Sequence, residues 1–187
     1  MRKRAAAVGV ALAVMTGGFA GASQLAVATS NGASQGCTPG YWKNHTDNWQ
    51  EYAPTTTVSR MLASLQIVNN KYVFTNYAFP AELAKYGSLT MAQALALKGG
   101  PGADGAAQIL LRAATAAYLN AAYDVVPDGS QGLFYPYRRY RDTTIDGVTY
   151  PGLQASVTAA LSSLDRATMI NLAGALDQAN NLGCPLN

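Results

Sequence analysis

The chain has 187 residues, 49% of them hydrophobic and 12% charged, with 13 lysines and arginines, 10 acidic residues, one histidine and two cysteines. Three of the basic residues occupy positions 2 to 4, in a segment that reads as an export leader, which leaves 13 − 3 = 10 basic against 10 acidic residues. Nothing in that balance points to nucleic acid, which would need a basic stripe to neutralise phosphates, and no nucleic-acid partner is expected.

Met1-Arg2-Lys3-Arg4 is a positive n-region, Ala5 to Phe19 carries no charge, and two small-residue cleavage patterns follow, Ala20-Gly21-Ala22 and Ala26-Val27-Ala28. The later site borders the polar run Thr29 to Gln35 and is preferred. The expected organisation is therefore a signal peptide at 1–28, a flexible mature N-terminus at 29–36 and a single helical domain at 37–187. The leader is rich in Ala and Gly and falls short of the roughly 20 strongly apolar residues of a spanning helix. In an exported chain the even pair Cys37 and Cys184 is expected to form a disulfide. Zinc ligation would call for a close CxxC spacing that these two lack.

Thr38 and Pro39 signal a helix start. If that helix runs through Trp49, then Trp42, His45 and Trp49 share one face. Thr55 to Ser64 reads as a second short helix with Val58, Met61, Leu62 and Leu65 on its apolar side. Asn69-Asn70 between two apolar runs signals a hairpin, and Pro80 to Tyr86 a helical turn. Thr90 and Gln93 have capping-box spacing ahead of Met91 to Lys98, which Gly99-Gly100-Pro101-Gly102 stops. Asp104 to Tyr123, apolar nearly all round, reads as a buried central helix broken by few polar residues, Arg112 and Asn120 among them. Pro127 to Gly152 is a long connection in which Asp146-Gly147 marks a second hairpin. Helices from Leu153 to Ser162 and from Arg166 to Asn180, the latter capped by Asp165, complete the chain. The fold class is thus mainly α: a single compact helical domain with one or two short β-hairpins, its ends joined by a disulfide.

Gly36-Cys37-Thr38-Pro39-Gly40-Tyr41-Trp42-Lys43-Asn44-His45 with Trp49 resembles the opening of a group of exported, actinobacterial-type proteins that carry a GYWKNH segment. Ile109-Leu110-Leu111-Arg112-Ala113-Ala114 and Asn180-Asn181-Leu182-Gly183-Cys184-Pro185-Leu186 are similar to the same group. The resemblance implies export and the extent of the domain. It implies no particular activity, and the segment also occurs within larger cell-surface proteins. The close at Cys184-Pro185-Leu186-Asn187, without a sorting motif or apolar anchor, leads us to expect release or non-covalent retention at the wall.

No HExxH, phosphate loop or dinucleotide fingerprint occurs, and neither a metal nor a cofactor is expected. His45 invites a general-base reading, but Asp47, two residues on, would not face it on a helix, and no G-x-S-x-G elbow supplies a nucleophile. A packed His45 between Trp42 and Trp49 is the preferred reading. Glu51, Glu82, Asp124 and Asp128 offer carboxylates for a glycosidase, yet nothing marks a pair. Binding is the better expectation, with no catalytic residues assigned. Tyr135, Tyr137 and Tyr140 interleave with Arg138, Arg139 and Arg141, and such rings and guanidinium groups suit sugar rings, acidic groups and protein surfaces. With Tyr41, Trp42 and His45 they form the expected recognition surface for a cell-wall polymer or surface protein. A loop folded over the core with solvated arginines is the competing reading, a wall-active hydrolase using His45 or an acidic pair is the enzymatic alternative, and a purely structural envelope component is the third.

Overall fold

A computed structural model describes residues 35–123 and 134–186. The expected signal peptide, most of the mature N-terminus and the carboxylates Asp124 and Asp128 lie outside the described residues. Within them the chain is mainly helical with two small antiparallel hairpins, as its local signals predict.

Helix α1 spans Pro39–Asn44, opened by Thr38, whose hydroxyl accepts from the Tyr41 amide at 3.1 Å. It stops earlier than expected. His45 leaves the helical region at φ −125° and ψ 59°, and a 3₁₀ turn, Thr46–Asn48, follows. Trp42, His45 and Trp49 therefore do not share a helical face. Helix α2 is only Val58–Met61. Ser64 and Leu65, expected on or beside that helix, instead enter strand β1, Ser64–Val68, which pairs with β2, Lys71–Thr75. Cross-strand pairing of Leu65 with Phe74 outweighs the helical periodicity of the Leu65 position. Asn69 and Asn70, at φ 51° and 60°, make the two-residue turn that asparagine tolerates.

A 3₁₀ segment, Ala81–Tyr86, leads to α3, Met91–Leu95, where Thr90 and Gln93 close the capping box. Helix α4, Gly102–Ala122, is the centre of the fold: 15 of its 21 residues are buried. Helices α1 and α3 and the two later helices, Leu153–Ser163 and Arg166–Asn180, all pack on it, the last most extensively. Small residues permit the close packing. A Cβ on Gly105 would come within 2.0 Å of the Gly100 carbonyl carbon, so the stop before α4 folds back directly onto the helix.

The second hairpin joins β3, Thr143–Ile145, to β4, Val148–Tyr150, through Asp146 and Gly147 at φ 49° and 79°. Helix α5, Leu153–Ser163, ends on Leu164 in the left-handed region, and α6, Arg166–Asn180, starts from Asp165, whose carboxylate accepts the Thr168 amide at 2.7 Å. The Cys37–Cys184 disulfide joins positions 147 apart, and beside it the Gly36 amide donates to the Gly183 carbonyl at 3.1 Å. For a closed loop of that length chain-entropy arithmetic gives about 5 kcal/mol, with 2–4 the usual measured range. Among the described residues, no helix is long and apolar enough to cross a membrane.

Candidate functional site

The surface opens into a cleft of about 200 Å³ between the first hairpin, the loop after the 3₁₀ turn and the segment that leads into β3. Glu51 and Tyr52 come from the loop, Arg60 from α2, Phe74 from β2, and Arg139 and Tyr140 from the third segment.

Helix α5 fixes that third segment. Its N-cap, Gly152, has no side chain to satisfy the first amides, and the carbonyls of Arg138 and Arg139 accept them instead, from Leu153 and Gln154 at 2.9 Å each. Anchored in this way, Arg139 projects into the cleft. Its Nη1 pairs with Glu51 Oε2 and donates to the Tyr52 hydroxyl at 3.3 Å. Its guanidinium carbon lies 5.8 Å from the ring centres of both Tyr52 and Tyr140. Burial disfavours the Arg139 charge, but Tyr52 and Glu51 outweigh it and hold the guanidinium above the ordinary arginine range. Burial pushes the Tyr52 phenol up to about 12, against the opposing pull of Arg139.

On the opposite wall Arg60 lies 4.4 Å over the Phe74 ring, and Phe74 meets Tyr140 at 6.4 Å between ring centres. Phe74 and Tyr140 are 41% and 39% exposed, so both side chains remain partly open to solvent. Behind Tyr52, in edge contact at 6.4 Å, stands Tyr118, whose buried hydroxyl has no hydrogen-bond partner among the described residues.

The residues expected to form one recognition surface are divided. Arg139 and Tyr140 line the cleft. Arg141 is exposed beside it in sequence, while Arg138 turns back to donate to the Tyr135 and Tyr137 carbonyls. Tyr135 and Tyr137 are buried, their rings 5.9 Å apart, and the Tyr135 hydroxyl donates to Asn180 Oδ1 at 2.8 Å. A ligand on the surface does not reach them. Trp42 is likewise fully buried, with Nε1 bonded to Asn120 Oδ1 at 3.0 Å.

His45 is exposed rather than packed between tryptophans. It stacks on Tyr41 with ring centres 4.2 Å apart, and its Nδ1 is 2.9 Å from the Tyr41 carbonyl. Tyr41 in turn accepts from Asn48 at 2.7 Å and donates to the Leu186 carbonyl at 2.8 Å, so this group fastens the segment that follows Cys184. Trp49 donates to the Trp42 carbonyl at 2.9 Å instead of flanking His45. Of the carboxylates considered for sugar hydrolysis, Glu51 is paired in the cleft and Glu82 lies exposed on the 3₁₀ segment. No group of three or more His, Cys, Asp or Glu side chains among the described residues is placed to hold a metal ion.

Sequence reasoning missed Glu51 and Tyr52 as partners of Arg139, and Arg60 and Phe74 as lining of the same cleft. The pair Arg60 and Phe74 had no local signal, because the first hairpin brings them together. In comparisons with known protein families, curated proteins and solved structures, the chain matches none.

Proposed function

We propose that this protein is an exported, non-enzymatic binding domain that works outside the cell at the cell wall, and that the cleft is its recognition site for a wall polymer. The observation that carries the reading is Arg139 held between the Tyr52 and Tyr140 rings with its charge already matched by Glu51. Such a site is pre-organised. The partly open rings of Phe74 and Tyr140 suit the flat apolar faces of sugar rings, and the guanidinium and carboxylate groups offer directed hydrogen bonds to hydroxyls.

Export is supported by the leader pattern of residues 1–28 and by the Cys37–Cys184 disulfide, which persists in oxidising surroundings. Retention on purified insoluble cell wall tests the reading. Wild-type protein is depleted from solution, and the Phe74→Ala, Tyr140→Ala double variant stays in the supernatant; equal depletion of the two removes the cleft from the account.

A further inference from the structure

Strands β1 and β2 pair only with each other, and among the described residues no other backbone hydrogen bond reaches positions 64 to 75. Among the described residues both outer edges of this hairpin are open. Seven large hydrophobic side chains are exposed in the described chain, and five belong to the hairpin: Ile67, Val68, Tyr72, Val73 and Phe74. Alternation places Ile67, Tyr72 and Phe74 on one face and Val68 and Val73 on the other. Lys71 is the single charge between Ser64 and Thr75. Monomeric proteins guard open edges with charges, prolines or covering segments, and the described residues supply almost none of that protection.

We infer that a second copy of this chain pairs with the first edge to edge through β2, antiparallel and two-fold symmetric about Val73. That register is self-complementary. Val73 faces Val73 of the second copy, Tyr72 faces Phe74, and Lys71 faces Thr75, so no like charges meet and two aromatic pairs form. The backbone agrees. Val68 and Lys71 flank the two-residue turn as a bonded pair, and alternation then sends the amides and carbonyls of Tyr72 and Phe74 to the open edge, where the two copies bond each other. Symmetric pairing through β1 would set Gln66 against Gln66 and supply no aromatic pair.

The result is a four-stranded sheet whose one face carries Leu65, Ile67, Tyr72 and Phe74 from both copies. Because Phe74 also lines the cleft, two clefts share a single apolar track, which suits a long polymer bound at two points. The track rests on the polymer-binding reading, whereas the pairing does not, and association is measured without ligand.

Sedimentation equilibrium of the full exported chain at micromolar concentration tests the pairing. Wild type sediments with twice the chain mass. Val73→Lys and Val73→Glu each sediment as monomers, because like charges meet on the two-fold axis, and an equimolar mixture of the two recovers the dimer mass. Val73 is 40% exposed, so neither substitution disturbs the core, and unchanged melting of each variant checks this. A monomeric wild type, a Val73→Lys variant that dimerises like wild type, or a mixture that stays monomeric overturns the proposal. A monomeric wild type that floats with anionic lipid vesicles overturns it too, and gives the hairpin to a lipid surface.

Discussion

Asn120 on α4 donates to Asn180 Oδ1 on α6 at 2.9 Å, and the two amides tie the helical core to both ends of the described chain. Asn120 Oδ1 also accepts from the Cys37 amide at 2.8 Å and from Trp42 Nε1 at 3.0 Å, and its Nδ2 donates to the Cys37 carbonyl at 2.9 Å. Asn180 Oδ1 takes the Tyr135 hydroxyl as well, and its Nδ2 donates to the Ala113 carbonyl at 3.0 Å. Both side chains are fully buried. Asn120→Ala therefore strands several buried polar groups and is expected to cost about 3 kcal/mol, measured by denaturant unfolding. Asn120→Asp loses more than one donor and sets a carboxylate against Asn180 Oδ1, so it should be at least as damaging. A cost below about 1 kcal/mol for either would show that the network is not what holds α1 to α4.

Tyr118 presents the opposite case. Its hydroxyl is buried and has no partner among the described residues, which is a cost the fold carries. Tyr118→Phe removes that oxygen and keeps the ring against Tyr52. The variant should gain about 1 kcal/mol and melt higher than wild type. Lower stability would mean that the hydroxyl does useful bonding in solution.

Alkaline pH should unfold the protein through its tyrosines. Burial raises the Tyr52 and Tyr137 phenols to about 12 from an ordinary 10.0, and pushes Tyr118 and Tyr135 well above it. In the unfolded chain these groups ionise near the ordinary value, whereas in the fold they stay neutral. Their contribution to stability is therefore complete below pH 10.0 and is lost as the pH rises through about 12. Denaturant midpoints should fall across that window, and phenolate absorbance should rise together with unfolding rather than before it for the buried tyrosines. Stability that stays flat through the window would contradict their burial.

Local chemistry was legible in the sequence. Asn69-Asn70 and Asp146-Gly147 announced their turns, Thr90 with Gln93 and Asp165 announced helix starts, and the apolar run around Leu110 to Ala122 announced a buried helix, because each signal acts within a few residues. The ends of α1 and α2 were not legible, since long-range contacts decide them: the hairpin takes Ser64 from α2, and His45 turns out of α1 to stack on Tyr41. Asn120 was visible as a polar break in an apolar helix, but its partner stands 60 positions away. The alternation of tyrosine and arginine after Phe134 suggested one exposed surface. Burial divides it, because the Tyr135 hydroxyl finds Asn180 and its ring can then enter the core, while Arg139 finds Glu51 across 88 positions of sequence.

The proposed function puts a polymer of the cell wall in the cleft. Its most direct test is a binding isotherm for soluble cell-wall fragments with wild type, the Phe74→Ala, Tyr140→Ala double variant, and His45→Ala as a control outside the cleft. Loss of two partly open rings should weaken binding about tenfold or more. His45→Ala should match wild type, and no variant should release products from the fragments. Wild-type affinity in the double variant, or turnover of the fragments that His45→Ala abolishes, would contradict the account.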